Sequence, residues 1–223
     1  MCGRLALSVG IDVLIQAFGI LPGATLIPRY NIAPTQPLAA VCEDAGGERR
    51  LQHLRWGLIP AWAKDPAIGS RMINARCETV ATKPAFRHAL RQRRCLIPAD
   101  GFYEWQQGAT GKTPHFIRRR DRAPLAFAGI WERWDGEGGP IDSCAILTSA
   151  ATPQLAPIHE RMPVILTADA YAPWLDRDLT DPARLLPWCH SSPDLDLEAY
   201  PVSTLVNKVQ NDGPECVAPL ERG

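Results

Sequence analysis

The sequence predicts an α+β fold built on a mostly antiparallel, barrel-like β-sheet with short helices at its periphery. Twenty-one prolines and 17 glycines divide the 223 residues into short elements. Stretches with strand character outnumber helical ones, and no regular helical crossovers separate them, which argues against a doubly wound parallel sheet. Because no repeat, linker or charge run marks a boundary, we expect one domain over residues 1–223.

Each element is predicted from its local pattern. A helix is expected at 11–19, where Asp12 lies near the start, apolar residues recur at helical spacing and Gly19 follows the end. Strands are expected where short β-branched or aromatic runs lie between turn residues. These runs are 37–43, 51–58, 94–99, 101–106, 114–119, 125–134, 143–150 and 162–166. Helical patterns interrupt them at 78–90, 168–175 and 181–188, and DGEGGP at 135–140 is typical of a hairpin turn.

The charge balance gives the chain no global attraction to polyanions. Twenty-four basic residues match 24 acidic ones, so nucleic acid would have to meet a local patch. Arginine supplies 20 of the 24 basic residues. That bias suits phosphate binding, and it is equally typical of a GC-rich genome.

The cysteines and the apolar runs indicate a reduced, cytoplasmic protein. The seven cysteines include no C-x-x-C pair, so we expect small buried thiols and neither a metal site nor a cofactor. Cys189-His190 has no partner spacing that would make it a metal site. The chain opens without a secretory pattern, and no apolar run reaches the length of a membrane span.

The second residue carries the first candidate chemistry. Removal of Met1 would make Cys2 the N-terminal residue, with an α-amine two carbons from a thiol. Such an amine is partly neutral near pH 7 and can form a Schiff base with an aldehyde, on which the thiol closes to a thiazolidine. The same thiol could instead attack a carbonyl in acyl transfer. A small second residue that merely permits methionine removal is the plain alternative.

A second candidate lies in RMINARCET at 71–79. In an extended segment Asn74 and Arg76 would share a face, where an amide and a guanidinium could hold a phosphate or a sugar oxygen. The alternative is a turn and helix entry, with Glu78 in the first helical turn. The residues alone leave both open.

Two further segments contain candidate proton-transfer groups. In the strand after Asp100-Gly101, Glu104 lies between aromatic residues, and burial there would raise its pKa and suit it to acid–base work. An acidic residue at a sheet edge is the alternative. His159 and Arg161 stand two apart before a proline, where a proton donor and a phosphate ligand could face the same way. A lone histidine can equally be structural.

Turn-rich stretches at 29–35, 55–64 and 205–212 combine aromatic, amide and cationic residues. Trp62, beside prolines and Lys64, could stack on a base of a single strand. An ordinary loop that covers a core has the same composition.

Together these segments resemble one family. The motifs MCGR, RYNIAP, RWGLIPAW, INARCET, RCLIPADGFYEW, PHFI, AGIWE, IHERMPV and VNKVQND occur in order from residue 2 to about residue 215 and resemble the SOS response-associated peptidase (SRAP) family. The resemblance implies a single SRAP domain that binds abasic sites in single-stranded DNA and joins them covalently as a thiazolidine. It also implies a self-cleaving peptidase that removes Met1.

The resemblance also assigns roles to residues. It implies that Cys2 is the crosslinking residue, with Asn74, Glu104 and His159 as its companions. Phosphate ligands would be Arg4, Arg76 and Arg161, and the base-stacking wedge would be Trp62. Ala61 stands where some members carry an adjacent second tryptophan, so the wedge could be shallower here.

Two other functions remain as alternatives. Glutamine amidotransferases also begin Met-Cys-Gly, although their other glutamine-binding motifs are absent from this sequence. A non-covalent single-strand binding module, in which Cys2 is incidental, would bind reversibly and with strong salt dependence. In every case we expect a monomer in the bacterial cytosol, associated with the nucleoid when bound to DNA, with no membrane partner.

Overall fold

Two β-sheets form the fold, and most of their strands lie where the sequence predicts them. The computed structural model describes residues 2–109, 111–190 and 195–220. Its strands are β1 (Leu5–Leu7), β2 (Arg29–Ile32), β3 (Pro37–Glu43), β4 (Arg49–Trp56), β5 (Asn74–Arg76), β6 (Arg94–Ala99), β7 (Gly101–Gly108), β8 (Gly111–Arg119), β9 (Leu125–Gly136), β10 (Gly139–Ala150), β11 (Arg161–Pro163) and β12 (Leu197–Pro201).

Short helices lie between these strands. They are α1 (Ile11–Phe18), α2 (Cys77–Val80), α3 (Arg87–Gln92), α4 (Ala168–Leu175) and α5 (Pro182–His190), with 3₁₀ turns at Pro66–Arg71, Thr204–Asn207 and Pro214–Cys216. Gly19 ends α1 in the left-handed conformation at φ 64°, as the sequence predicts. No helix in the described ranges is long and apolar enough to cross a membrane.

The larger sheet closes into a barrel. Its pairings run β10–β4–β3–β6–β9 and return from β9 to β10, while β5 and β11 extend β10 beyond the ring. β10 runs parallel to β4 and β5, and the other pairs are antiparallel. The smaller sheet, β12–β8–β7–β1–β2, is antiparallel throughout. The predicted fold class, mostly antiparallel and barrel-like, is confirmed.

Apolar runs explain the barrel core. Every residue of β6 is buried, as expected of a strand that faces a core on one side and helices on the other. Trp56 and Trp174 are fully buried, and Trp174 donates its indole N–H to the Cys95 carbonyl oxygen at 3.0 Å. All seven cysteines are free and buried, as predicted for small apolar side chains.

Two predicted elements are wrong in extent. The helical stretch at 78–90 is two helices, α2 and α3, because Pro84 disfavours helical backbone at the residue before it. The strand predicted at 162–166 is only Arg161–Pro163, because the chain then moves from β10 to β9: the Val164 N–H donates to the Leu147 carbonyl oxygen, whereas the Leu166 N–H donates to the Ala126 carbonyl oxygen. The short strands β1, β2, β5 and β12 were not predicted as strands, because three to five residues carry little periodicity.

Candidate active site

The Cys2 side chain is fully buried next to the strand that carries Glu104. β1 pairs with β7 in the register Leu5 to Phe102, and the Arg4 carbonyl oxygen accepts the Tyr103 N–H at 2.9 Å. The residues before β1 therefore run alongside Glu104. Burial raises the pKa of the Cys2 thiol well above its usual range, and the Glu104 carboxylate raises it further. The group at rest is consequently a thiol rather than a thiolate.

Asn74 connects the barrel to this N-terminal segment. It opens β5, which pairs in parallel with β10. Its side-chain N–H donates to the Cys2 carbonyl oxygen at 2.7 Å. Its own Oδ1 is buried and accepts no hydrogen bond from the part of the chain that the structure describes. The amide thus fixes the backbone of Cys2 and keeps one acceptor directed at the site.

Glu104 is buried, with 3% of its surface exposed. Neighbouring residues of β7 face two apolar clusters: Phe102 belongs to the main core, while Tyr103 and Trp105 belong to a second cluster. Burial raises the pKa of the Glu104 carboxyl group, and the neighbouring His159 imidazole opposes that shift. A buried carboxyl group with a raised pKa is suited to proton transfer.

His159 shares a narrow cleft with Glu104. Phe102, Glu104, His159 and Arg161 all line it. The Arg161 backbone N–H donates to His159 Nδ1 at 3.0 Å. In a neutral imidazole this bond places the ring proton on Nε2, which makes that nitrogen the donor.

Two of the predicted phosphate ligands make hydrogen bonds within the protein. Arg4 donates to Asn31 Oδ1 at 2.7 Å and to the Val206 carbonyl oxygen at 2.5 Å, and its guanidinium lies 5.8 Å from the centre of the Trp105 ring. Arg161 donates to Glu78 Oε1 at 2.5 Å and Oε2 at 3.1 Å. Their role as phosphate ligands stays a prediction.

Arg76 and Trp62 lie on the surface. Arg76 is exposed at the boundary between β5 and α2, so the segment 74–78 is an extended strand followed by a helix entry; the role of Arg76 as a phosphate ligand stays a prediction. Trp62 is 60% exposed on the loop that follows β4. Trp134 steadies this loop by donating its indole N–H to the Ala63 carbonyl oxygen at 2.7 Å.

The structure shows a set of hydrogen bonds between two distant segments of the chain that the sequence did not indicate. Asn31 is fully buried, and its amide donates to three carbonyl oxygens of the segment 206–211. Asp212 accepts the backbone N–H groups of Tyr30 and Asn31 at 2.6 and 2.7 Å. The motifs at 29–35 and 205–212 therefore bind each other. Nothing in either stretch alone identifies the other as its partner.

The fold and the site define a class: an α+β barrel protein in which Cys2 is buried beside the Asn74 amide and the Glu104 carboxyl group, with His159 next to Glu104. Among the described residues, no three side chains of His, Cys, Asp or Glu are placed to hold a metal ion. The family model described as SOS response associated peptidase (SRAP) matches residues 1–209. The chain belongs to this family.

Named relatives and solved structures agree with that assignment. The abasic site processing protein YoqW of Bacillus subtilis is 44% identical over 222 residues, covering 97% of this chain and 99% of the relative. The abasic site processing protein HMCES of Gallus gallus is 34% identical and covers all of this chain and 79% of its own.

Solved structures share the architecture. A crystal structure of a Bordetella bronchiseptica protein has a TM-score of 0.77 at 30% identity, covering 91% of this chain and 100% of that chain. A Bacteroides thetaiotaomicron protein has a TM-score of 0.86 at 23% identity, covering 99% of this chain and 100% of that chain, and so shares the fold.

Proposed function

We propose that this chain processes abasic sites in DNA by capturing the lesion covalently on Cys2. The observation that carries the proposal is the burial of Cys2 against Asn74 and Glu104, with His159 in the same cleft as Glu104. The relatives are named for abasic site processing, which supports the same substrate.

The chemistry needs an aldehyde, an amine and a thiol. Loss of Met1, which lies outside the described residues, gives Cys2 a free α-amine. The amine adds to the aldehyde carbon of the ring-opened abasic site and expels one water, which gives an imine. The thiol sulfur then adds to the imine carbon while its proton passes to nitrogen. The product is a thiazolidine, with one water as the other product.

Each companion residue has a part in this sequence. Glu104 moves protons between the amine, the leaving water and the thiol, which suits a buried carboxyl group with a raised pKa. His159 protonates the sugar oxygen as the ring opens, through Nε2. Asn74 holds Cys2 by its carbonyl oxygen, and its buried Oδ1 accepts a hydrogen bond from the amine or the sugar.

The DNA strand lies across the surface around this cleft. We place its phosphates at Arg76 and Arg161, near the cleft, with Arg4 beside Trp105 as a third contact. Trp62 stacks on a base next to the lesion. A single strand is the substrate in this proposal, because an unpaired lesion can reach Cys2 without disrupting base pairs.

The chain also removes its own Met1 in this proposal. Hydrolysis of the Met1–Cys2 bond consumes one water and releases methionine. To exclude cleavage by the host aminopeptidase, the protein used in the test carries a bulky leader of several residues before Cys2. We expect the purified wild type to release the leader over time, while Cys2→Ala keeps it. Retention by the wild type would contradict self-cleavage and leave the capture chemistry to be tested separately.

The capture is tested with a uracil-containing single strand treated with uracil glycosylase. We expect wild-type protein without Met1 to give a denaturation-resistant adduct on a gel, with the intact mass of protein plus DNA minus one water. Cys2→Ala should give none, and the matched control Cys42→Ala, a buried barrel cysteine, should react like the wild type.

Other results would overturn the proposal. Reversible binding that Cys2→Ala leaves unchanged would indicate a plain single-strand binding module. No DNA binding, together with release of ammonia from glutamine, would indicate an amidohydrolase.

A further inference from the structure

The Arg161 guanidinium is held by a carboxylate on the far side of strand β10. β11, which begins at Arg161, pairs with β10 in the register Ala150 to Arg161. β5 pairs with β10 on its opposite edge, in the register Thr148 to Arg76, and α2 with Glu78 follows directly. The Arg161 side chain therefore crosses β10 at Thr148 to reach Glu78.

The contacts occupy the forked edge of the guanidinium. One terminal nitrogen donates to Glu78 Oε1 at 2.5 Å, and the other donates to Glu78 Oε2 at 3.1 Å. The second nitrogen also donates to the Thr148 carbonyl oxygen at 2.6 Å. A phosphate binds arginine through the same pair of parallel N–H groups that a carboxylate uses. Glu78 and a phosphate therefore compete for one edge.

The exposed fractions of the two side chains show which partner of this ion pair can be displaced. The Arg161 side chain is 12% exposed and is fixed by Thr148, whereas the Glu78 side chain is 47% exposed. An ion pair with one half-exposed partner is weak and screened by salt. Glu78 can turn to solvent while Arg161 stays in place at the cleft it shares with Glu104 and His159.

We propose that Glu78 is a built-in competitor of DNA phosphate: it neutralises Arg161 in the free protein and must be displaced when the strand binds. This inference rests on the proposed function. Glu78 is a positioning residue, since it acts through Arg161 and does not touch the reacting atoms. Its presence lowers affinity for any single strand, so that the covalent step rather than phosphate attraction retains the lesion.

The test measures non-covalent binding alone. The probe is a fluorescent single strand with a tetrahydrofuran abasic analogue, which has no aldehyde, and anisotropy is recorded over a range of salt concentrations. We expect Glu78→Gln to bind several-fold more tightly at low salt. The slope of log affinity against log salt should be steeper for Glu78→Gln than for the wild type, because salt screens the Glu78–Arg161 pair that opposes binding in the wild type.

Two controls separate this effect from a general change in charge. Glu137→Gln removes one negative charge at the exposed tip of the β9–β10 hairpin and should change affinity little. In an Arg161→Gln background, Glu78→Gln should lose its effect, because the competition requires the guanidinium. Should the amide variant not fold, Glu78→Ser carries the same expectation.

The outcomes separate the two proposals. If the wild type binds and Glu78→Gln binds equally or more weakly, or if the gain persists without Arg161, the competitor role is overturned. If neither the wild type nor any variant binds the probe, both the competitor role and the proposed DNA substrate are overturned.

Discussion

Glu104 is a carboxyl group with 3% of its surface exposed, and its ionisation affects stability as well as chemistry. Burial raises its pKa above the ordinary value of 4.5, so the folded state holds this proton more tightly than the unfolded chain does. That contribution to stability is fully present below pH 4.5 and is lost as the pH rises through the folded pKa. The protein thus keeps at its site a residue that lowers stability at neutral pH.

Glu104→Gln should therefore remove the pH-dependent loss of stability that ionisation of the buried carboxyl group causes. We expect its free energy of unfolding, relative to wild type, to increase as the pH rises from 4.5 through the raised pKa of the folded wild type. Urea denaturation at several pH values measures this difference. The control Glu137→Gln, which changes an exposed carboxylate, should show no such trend. A constant difference between wild type and Glu104→Gln would contradict the raised pKa.

At the scale of single elements, long strands were predictable and their short partners were not. β3 and β6 match the predicted bounds, because alternating or continuous apolar runs fix a strand locally. β1 and β5 have three residues each, and they form strands only because β7 and β10 supply their hydrogen bonds. Such pairing depends on the whole fold and leaves no local pattern.

In the candidate site, too, features that depend on neighbouring residues were predictable, whereas contacts between distant residues were not. Burial of Glu104 follows from its aromatic neighbours along β7, which the sequence displays. The bond from Asn74 to the Cys2 carbonyl oxygen joins residues 72 positions apart; the resemblance to a family indicated that the two residues act together, but not this bond. The partners of Arg4 and Arg161 were missed, since ion pairs and carbonyl contacts across 83 or 202 positions have no sequence signature.

The loop that carries Trp62 depends on a close approach of two backbones. Gly57 follows β4 at φ 128°, and a Cβ there would lie 2.5 Å from the Gly69 carbonyl oxygen. Gly69 belongs to the 3₁₀ turn that closes the loop, and a Cβ there would meet the Gly57 oxygen at the same distance. Only glycine fits at this contact.

Gly57→Ala should lower the free energy of unfolding by about 2 kcal/mol or more, because it combines a strained φ with a backbone collision. Urea denaturation gives the magnitude. The matched control Gly138→Ala, where a Cβ would meet nothing within 4 Å, should change stability little. Equal stability of the two variants would show that the Gly57–Gly69 contact is not required.

At the scale of the molecule, the two sheets pack together with the first and last segments that the structure describes. A single apolar cluster includes residues from Cys2 to Leu197. The segment 206–212 returns to β2 through Asn31 and Asp212. We therefore propose that residues 1–223 are one domain. Large exposed apolar side chains are few and separate along the described chain, which favours a monomer.

A single domain should unfold in one step. We expect urea transitions followed by tryptophan fluorescence and by far-ultraviolet circular dichroism to coincide, and sedimentation to give the mass of one chain. Two separate transitions would contradict the single domain. A concentration-dependent mass would contradict the monomer.

The buried, protonated state of Cys2 also bears on how the protein survives oxidative stress. Peroxides attack thiolates that solvent can reach, and they convert them through sulfenic acid to products that no longer act as nucleophiles. The Cys2 side chain is fully buried, and burial raises the pKa of its thiol. Cys2 is therefore neither accessible to peroxide nor in the thiolate form. In the proposed capture, Cys2 is thereby kept as a thiol until a lesion enters the site.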